Sequence, residues 1–394
     1  MSFSLPSHWK YLSEGASTIV LTYNGPDSLF QTKILRIRKD DDSISNDELP
    51  LLLFQREIVP CLIPEQHLIH VEIISVAKSW LESLALLCAD SRPTWRTDKI
   101  AVSRTEALLA PNLVASPITV EIKPKWSFLK GESPRTCRYC MHASTRGWAT
   151  SYCPLDLFSS SPERIKRALY GLYDAWAAGA SNQNNLRLFV GGQIVSSNTL
   201  SSALQNNGLC SPFLLEDAIR QKFVDTLHVS LLNVESSSLL HTLKRLQRTL
   251  DNPGIAALDI LWKEIFPESS SFADGFHQPT LDEWYEFVKK YTEQNSPAAK
   301  TDAEKLQYHM LSYLLSATFK DCSIMIMLPG LLDKTLSLPA SSYPSRIILV
   351  DLDQKPVGRF RKWLDQDREI LDEYNEMVKK GQTERKICID DWVR

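Results

Sequence analysis

Two groups of short strand patterns, far apart in the sequence, constrain the fold of this chain more than any other feature. In the first group, the β-branched run at residues 18–23 ends at Asn24-Gly25, and a second strand pattern follows at residues 33–38. Two such runs joined through a turn predict an antiparallel pair. The second group comes later, with strand patterns at residues 118–123, 186–190, 323–328 and 346–350. Separate groups of strands with helices between them predict an α+β fold with two lobes.

Helical patterns fill much of the remaining sequence. Apolar positions at helical spacing over about residues 65–89 predict the helix of the N-terminal lobe. Ser161, Pro162 and Glu163 supply an N-cap, a proline and an acid in one first turn, which predicts a helix to about residue 178. Two further helices are predicted at about residues 301–317 and 357–380.

The length and composition of the chain are those of a globular protein. With 394 residues it is too long for one simple core, and we expect a hinge near residues 107–116 between an N-lobe, residues 1–112, and a C-lobe, residues 113–394. No apolar run approaches the roughly 20 residues that span a bilayer, and the start lacks a signal-peptide pattern. We therefore expect an intracellular protein, in the nucleus or the cytoplasm, without membrane insertion.

The charge of the chain restricts its partners. A formal charge of −3 argues against a general nucleic-acid binder, so a polyanion must be bound through local basic clusters. One cluster lies between residues 121 and 146, where six Lys and Arg residues and one histidine are opposed by two acids. A phosphate group carries about −1.5 to −2 charges, so a ligand with several phosphates needs convergent cations of this kind. The alternative, which composition alone leaves open, is an ordinary solvated loop.

Lys123 and Lys125 favour the binding interpretation of this cluster. They flank a proline on what looks like a strand, and period-two spacing then directs both side chains the same way. The other cations of the cluster are Lys130, Arg135, Arg138, His142 and Arg146.

Acidic residues at the end of a later strand predict a metal site. Asp351 and Asp353 directly follow the apolar run at residues 347–350. Carboxylates in such a place commonly hold a metal ion beside a nucleotide. Lys355 and Arg359 follow, four residues apart and on one face if the helix has begun. The alternative is a strand-to-helix turn in which Asp353 only caps the helix.

Two polar segments before strands have weaker signals. Asp321 precedes the strand pattern at residues 323–328 and is a candidate general base if the fold brings it to an acceptor hydroxyl. Otherwise it is a turn residue. The amide-rich segment at residues 182–187 leads into another strand, and without other information a polar turn is the better interpretation.

The sequence has no P-loop or protein-kinase motif, and its cysteines do not predict a metal site. It lacks G-x-x-x-x-G-K-[ST], G-x-G-x-x-G and the H-R-D and D-F-G pair. The eight cysteines are scattered, so we expect reduced thiols. Cys137 and Cys140 form a C-x-x-C near His142 and Cys153, but His142 follows Cys140 too closely and no second C-x-x-C exists. We therefore expect no zinc site.

Taken together, these segments resemble the inositol-pentakisphosphate 2-kinase family. The resemblance rests on E-I-K-P-K-W-x-F-L from Glu121, R-Y-C-M-H from Arg138, Y-C-P-L-D-L-F-S from Tyr152, N-N-L-R from Asn184, K-D-C-S from Lys320 and D-L-D-x-K-P from Asp351. It implies a two-lobed fold like that of inositol-polyphosphate kinases and protein kinases, with an antiparallel sheet and a helix in the N-lobe. It also implies that ATP, with Mg²⁺, phosphorylates the axial 2-hydroxyl of inositol 1,3,4,5,6-pentakisphosphate to give phytate.

The resemblance also implies roles for individual residues. Asp321 would be the general base, and Asp351 would bind Mg²⁺ with help from Asp353. The implied substrate contacts are Lys123, Lys125, His142, Arg146, Asn184, Lys355, Arg359 and Arg92. The implied nucleotide side comprises Gly15, Ala16, Ser17, Thr18, Arg36, Asn185 and Arg187. The expected enzyme is a monomer whose partners are ATP and the inositol phosphate, without nucleic acid.

Three positions depart from the family pattern. Arg146 stands where a lysine is often found, which changes the donor geometry, Thr18 replaces the usual asparagine, and Trp363 stands where a tyrosine can occur. The ligands of the zinc site reported for plant members are not recognisable. Two alternatives stay open. One is a non-catalytic inositol-phosphate binding protein, which would need neither Asp321 nor Asp351, and the other is a kinase of a different inositol phosphate or of a phosphoinositide lipid.

Overall fold

The computed structural model describes residues 4–15, 18–40, 52–130, 135–179, 185–269, 271–293, 301–331 and 345–392. These residues form two antiparallel five-stranded sheets and a set of α-helices, which confirms the predicted α+β class. Within these ranges, no helix has the length and apolar character needed to cross a membrane.

The first sheet is formed by the N-terminal part of the chain. Its strands are β1 (Trp9–Glu14), β2 (Thr18–Tyr23), β3 (Lys33–Arg38), β4 (Glu72–Ser75) and β5 (Glu106–Pro111). They lie in the order β1-β2-β3-β5-β4, and every pairing is antiparallel. Thr18 pairs with Arg38 and Thr22 with Ile34, so the predicted antiparallel pair is confirmed. One face of the sheet packs against helix α1 (Lys78–Cys88).

The helix predicted over about residues 65–89 is wrong in its first half. A single 3-10 turn, Glu65–His67, is followed by β4, and α1 begins only at Lys78. Ile73 and Ile74 of β4 are β-branched, and such residues favour a sheet when a partner strand is available. Here β5 is that partner. The spacing of the apolar residues also fits a helix, so the pattern alone predicted the wrong element.

The second sheet is formed by strands from distant parts of the chain. They are β6 (Ile118–Ile122), β7 (Leu186–Val190), β8 (Gln193–Val195), β9 (Ser323–Leu328) and β10 (Arg346–Val350). They lie in the order β10-β9-β6-β7-β8, again all antiparallel, and the four later strand patterns are confirmed. Ile122, Leu188 and Ile324 point into the large core. Glu121 and Ser323 alternate with them and therefore lie on the opposite face.

The helices of the C-terminal part build the large core. They are α2 (Arg138–Thr145), α3 (Pro154–Leu157), α4 (Pro162–Ala177), α5 (Ser197–Asn206), α6 (Glu216–Leu232), α7 (Val234–Leu250), α8 (Ile255–Ile265), α9 (Leu281–Thr292), α10 (Asp302–Lys320) and α11 (Phe360–Lys379). The helix starts predicted at Ser161 and Thr301 are confirmed. Ser161 caps α4 by accepting from the N–H of Arg164, and Thr301 forms a capping box with Glu304 on α10. A 3-10 turn, Val357–Arg359, leads into α11.

Apolar contacts join the two sheets. Residues 54–61 form a short helical segment, and together with Leu62 and Ile63 it packs into the large core, although strands of the first sheet flank it in the sequence. In a second cluster, Met325 and Met327 of β9 pack with Leu12 of β1. The division of the chain between residues 112 and 113 stays a prediction. The helical segment belongs to the predicted N-lobe by its position in the sequence, but it packs into the core of the C-terminal part.

Candidate active site

The antiparallel register of the second sheet brings three strand ends to one edge. Val350, the last residue of β10, pairs with Ser323, the first residue of β9, and β6 ends beside them. Lys123, Asp321 and Asp351 lie just beyond these strand ends. They are therefore close together, although 228 residues separate Lys123 from Asp351.

Two ion pairs stabilise this edge. Lys123 Nζ lies 3.3 Å from Asp351 Oδ2, and Lys355 Nζ donates a hydrogen bond to Asp321 Oδ2 at 3.0 Å. Both lysine side chains are mostly covered, whereas the side chain of Asp321 is 60% exposed and that of Asp351 is 44% exposed. The two carboxylates thus face solvent above covered cations, so an incoming ligand can reach them.

The surroundings of Asp321 keep it ionised. Desolvation alone would raise its pKa, but the charge and hydrogen bond of Lys355, with the charges of Lys125 and Lys123, outweigh this effect and lower the pKa below its ordinary value. Asp321 also ends α10, where its N–H bonds to the carbonyl of Thr318. The result is an anionic oxygen on a fixed backbone, which can accept a hydrogen bond or a proton from a hydroxyl.

The period-two argument for Lys123 and Lys125 is wrong, because the chain leaves the strand before them. β6 ends at Ile122, and Pro124 has no N–H with which to continue the ladder. Lys125 has a φ of 64°, in the left-handed region that residues with side chains rarely adopt. Burial lowers the pKa of Lys125, although the negative charge of Asp321 acts to raise it. Both lysines reach the same cluster, through a bend rather than along a strand.

A buried acid supports Asp351 from behind. Ser323 Oγ lies 2.8 Å from Glu121 Oε1 and 3.2 Å from Asp351 Oδ2, and Arg187 Nη1 lies 3.3 Å from the other oxygen of Glu121. Asp351 has a φ of 60°, a strained conformation of the kind found where surroundings over-determine the backbone, often at functional sites. Sequence reasoning treated Glu121 only as an opposing charge. An acid inside a mostly apolar strand was the signal that could have identified it.

Helix α2 carries the predicted histidine of the substrate side, and the predicted arginine is its C-cap residue. His142 is half-buried against Trp148, with ring centroids 5.1 Å apart, and Arg146 Nε donates to its Nε2 at 3.3 Å. Burial and then the charges of Arg138 and Arg146 lower the pKa of His142, and Lys125 adds to this effect. His142 therefore lies in a positive field, which is the environment that stabilises a bound polyanion.

Three cations surround a tryptophan behind this edge. Lys320 Nζ lies 4.1 Å, Lys130 Nζ 4.5 Å and the Arg138 guanidinium 4.6 Å from the ring centroid of Trp126. Burial lowers the pKa of Lys320 to about 8, although it has an ion pair at 2.9 Å with Asp251. Lys320 directly precedes the candidate base, so its anchoring also fixes the end of α10. Sequence reasoning assigned no role to Trp126 or Lys320.

The glycine turn of the predicted nucleotide side connects β1 to β2. The N–H of Gly15 bonds to the carbonyl of Thr18 at 2.9 Å, while Ala16 and Ser17 lie outside the described residues. Arg36 is half-buried on β3. The nucleotide contacts of these residues stay predictions.

Asn185 has a structural part in the site. It is buried, donates from Nδ2 to the carbonyl of Lys123 at 2.8 Å and accepts from the hydroxyl of Tyr139 at 3.2 Å. These bonds position the backbone of Lys123 at the sheet edge. The nucleotide contacts predicted for Asn185 and Arg187 are untested, and Asn184 lies outside the described residues.

Arg92 is engaged beside the glycine turn. Its Nε and Nη2 donate to the two oxygens of Glu14 at 3.2 and 2.9 Å, and Lys39 contacts the same carboxylate. Desolvation raises the pKa of Glu14, but these two cations lower it to about 2. Arg359 is exposed at the start of α11. The substrate contacts of Arg92 and Arg359 stay predictions.

The sheet edge offers carboxylate oxygens for a hard cation. Asp351 presents a partly exposed carboxylate, and Asp353 accepts a hydrogen bond from Gln55. Mg²⁺ binds carboxylate oxygens, keeps several waters and needs only one or two acids from the protein when phosphates complete its shell. The donor set at Asp351 and Asp353 fits such an ion.

A second group that could hold a metal was not predicted. The Sγ atoms of Cys137, Cys140, Cys153 and Cys388 all lie within 4.8 Å of one another, and all four residues are buried. The sequence argument against zinc rested on the short spacing from Cys140 to His142 and on the lack of a second C-x-x-C. That argument overlooked Cys388, which the fold brings from near the other end of the chain.

The two sheets, with clustered lysines and acids at one sheet edge, define a two-lobed, kinase-like α+β protein. The family model described as inositol-pentakisphosphate 2-kinase matches residues 11–369. The chain belongs to this family.

Three relatives show how far the likeness extends. The inositol-pentakisphosphate 2-kinase of Cryptococcus neoformans is 30% identical to this chain, and the match covers 93% of this chain and 92% of that protein. The enzyme of the same name from Arabidopsis thaliana is 26% identical over 97% of this chain and 96% of its own length. The Danio rerio protein of that name is 29% identical over 48% of this chain and 44% of its own length.

Proposed function

We propose that this kinase transfers the γ-phosphoryl group of ATP to the 2-hydroxyl of inositol 1,3,4,5,6-pentakisphosphate and releases inositol hexakisphosphate. The observation that carries the proposal is the pair formed by Asp321 and Lys355, 3.0 Å apart at a sheet edge with Lys123 and Lys125. It combines an ionised acid, which can take a hydroxyl proton, with cations that can bind phosphate. The relatives bear the name of the same activity.

The acceptor would be bound mainly through charge. Five phosphate groups carry roughly −8 to −10 charges at pH 7, which one or two lysines cannot neutralise. Lys123, Lys125 and Lys355 approach from the sheet edge, and His142 with Arg146 approaches from α2. Arg359, Arg92 and Asn184 are further proposed contacts. A substrate phosphate would compete with Asp321 for Lys355. Substrate binding would therefore release the Asp321 carboxylate from its hydrogen bond with Lys355.

Asp321 then orients the attacking hydroxyl and accepts its proton. Phosphoryl transfer passes through a loose transition state, so positioning and charge contribute most of the catalysis and the base is needed late. The lowered pKa of Asp321 keeps it in the ionised form at neutral pH. In a loose transition state, the fixed position of the Asp321 carboxylate matters more than its strength as a base.

Asp351, with Asp353, would hold Mg²⁺ at the nucleotide phosphates. The ion neutralises charge that develops on the transferred group. Ser323 and Lys123 fix the Asp351 carboxylate, and Glu121 fixes Ser323. Gly15 to Thr18, Arg36, Asn185 and Arg187 form the proposed nucleotide side.

Product analysis tests this function directly. The full chain is incubated with Mg²⁺, ATP and inositol pentakisphosphate, and the products are separated by anion-exchange chromatography. We expect inositol hexakisphosphate, and we expect Asp321→Asn to lower kcat by about 100-fold or more, the range for loss of a general base, with substrate affinity within a few-fold. Binding without turnover would instead identify a non-catalytic binding protein. Faster turnover of another inositol phosphate, with the 2-hydroxyl untouched, would identify a different kinase.

The organisation of the enzyme is part of the same proposal. We take residues 1–112 as the N-lobe and residues 113–394 as the C-lobe of a monomer that acts in the nucleus or the cytoplasm. Light scattering on the purified chain measures its mass in solution, and imaging of a tagged chain in its own cell locates it. A dimer, or a protein outside both compartments, would contradict these parts.

A further inference from the structure

We propose that Lys320 is a positioning residue for this reaction, because its buried ion pair with Asp251 fixes the direction in which the neighbouring Asp321 carboxylate points. The inference rests on the role proposed above for Asp321. Lys320 is the last residue of α10 and Asp321 is its C-cap, so one peptide bond joins the anchored lysine to the proposed base. Loss of the ion pair should therefore lower the rate of the chemical step more than the affinity for the acceptor.

The pair of Lys320 with Asp251 is almost completely buried. Nζ lies 2.9 Å from Oδ1 of Asp251, and the two side chains are only 3% and 2% exposed. Removing two charges from water is costly, and apolar side chains of similar volume often stabilise a core equally well. Stability alone therefore does not explain a charged pair at this place. An ion pair has a direction, and here it sets the orientation of the helix end.

Aromatic rings enclose other sides of the ammonium group. Nζ of Lys320 lies 4.1 Å from the ring centroid of Trp126, 4.6 Å from that of Tyr313 and 5.5 Å from that of Phe128. The faces of such rings attract a cation electrostatically. The rings and the carboxylate together leave the side chain of Lys320 little freedom to move.

The ion pair continues as a chain of alternating charges toward α2. Asp251 also lies 3.6 Å from Lys130, and Lys130 lies 2.8 Å from Asp367 on α11. Asp367 pairs in turn with Arg138, the first residue of α2. The helix end that carries the proposed base is thus linked to the helix that carries His142, a proposed phosphate ligand. The chain of charges therefore sets the base and one side of the acceptor site relative to each other.

The protonation of Lys320 gives a readout that a purely structural role would not produce. Burial lowers the pKa of Lys320 to about 8, while the charge of Asp251 acts to raise it. The unfolded chain, with the ordinary pKa of 10.5, binds this proton more tightly, so folding stability is not lost as pH rises above about 8. The ion pair is lost over the same range. The other charged or titratable groups that face this pair are Lys130, Asp367, Arg138 and Tyr313.

Two variants of the full chain test the positioning role. Lys320→Met removes the charge and keeps an apolar side chain of similar length against the rings. Lys320→Met combined with Asp251→Asn removes both charges, and this double variant should fold even if the single variant does not. In either variant we expect kcat at saturating ATP and inositol pentakisphosphate to fall about tenfold or more, as a small misplacement of a catalytic group does. KM for the acceptor should stay within about threefold.

The pH profile of kcat supplies the second readout. In the wild type, kcat should fall as Lys320 loses its proton above about pH 8, whereas both variants should lack this alkaline limb. Burial also lowers the pKa of Lys125, but its proposed contact is with the acceptor, so its ionisation affects kcat/KM rather than kcat at saturation. Circular dichroism at each pH verifies folding. An alkaline limb that persists unchanged in both variants would overturn the proposal.

A second buried ion pair supplies the matched control. Lys244 on α7 lies 3.0 Å from Asp390, and both side chains are almost completely buried. Lys244→Met combined with Asp390→Asn should leave kcat within about twofold, as expected for a site outside the chain of charges. An equal loss of kcat in the two double variants, or a wild-type kcat in the double variant of Lys320 and Asp251, would also overturn the positioning role.

Asp321→Asn separates this inference from the proposed function. If Asp321→Asn loses turnover while the double variant of Lys320 and Asp251 keeps it, the positioning role is wrong and Asp321 remains the base. If Asp321→Asn stays active, the role of Asp321 is wrong and the inference about Lys320 is wrong with it.

Discussion

Lys355 donates a hydrogen bond from Nζ to Oδ2 of Asp321 at 3.0 Å. Lys355 lies just before α11, and Asp321 ends α10, so the bond joins the two C-terminal helices at the point where the acceptor is proposed to bind. One residue of the pair is the proposed base and the other a proposed phosphate ligand. The effect of this hydrogen bond on the pH dependence of catalysis can be measured.

Removal of the lysine should move the acid limb of the pH profile. Lys355 lowers the pKa of Asp321, so in Lys355→Met that pKa rises and the ionised base is lost at a higher pH. The acid limb of kcat/KM therefore shifts to higher pH, and KM for the acceptor rises as well. Lys362→Met, an exposed lysine on α11, should leave the limb in place. An unshifted limb in Lys355→Met would show that Asp321 is not the titrating base.

Glu121→Gln should weaken the metal site without touching substrate. The buried carboxylate orients Ser323, which in turn contacts Asp351. Loss of such an outer partner typically costs about 10- to 100-fold in metal affinity or activity. We expect activity to need a higher Mg²⁺ concentration, measured as a titration at saturating ATP. Glu235→Gln, an exposed acid in the first turn of α7, is the control, and equal Mg²⁺ dependence in both variants would count against this role.

Glu14→Gln should destabilise the first sheet in a pH-dependent manner. The substitution removes the negative charge that pairs with Arg92 and Lys39. Breaking a buried ion pair costs roughly 3–5 kcal/mol of folding stability. The folded-state pKa of about 2 lies below the ordinary 4.5, so this stabilisation is fully present above about pH 4.5 and is lost as pH falls toward 2.

Urea unfolding at several pH values measures this difference. The gap in unfolding free energy between wild type and Glu14→Gln should be widest at pH 7 and should narrow at acid pH. Glu72→Gln removes a half-exposed acid that pairs with Lys33 on the surface and should cost at most about 1 kcal/mol. A difference in unfolding free energy that stays constant with pH would show that ionised Glu14 is not the source of this stabilisation.

His142 should make acceptor binding depend on pH. Its pKa is lowered from 6.5 in the free protein by burial and neighbouring cations, and a bound polyanion should raise it again. Affinity for inositol pentakisphosphate should therefore increase as pH falls from about 7.5 to about 6. His142→Gln should show less of this increase, as measured by isothermal titration calorimetry. Identical pH dependence in the two proteins would exclude proton uptake by His142.

Sequence patterns anticipated several elements because their signals are local. The caps at Ser161 and Thr301 predict helix starts, and the alternating segments predict β6, β7, β9 and β10. Family membership also follows from short motifs. The segment from residue 65 to 89 shows the limit, because β-branched residues at helical spacing form β4 only when β5 is present.

The sequence by itself determined the fold class, the family and the residue types of the site, since these depend on order and spacing along the chain. Only the tertiary structure decided which distant residues meet. The buried path from Glu121 through Ser323 to Asp351, the cations around Trp126 and the thiol of Cys388 beside Cys137 depend on strand register and helix packing. Contacts between residues hundreds of positions apart leave no local pattern, because they arise from packing rather than from neighbouring residues.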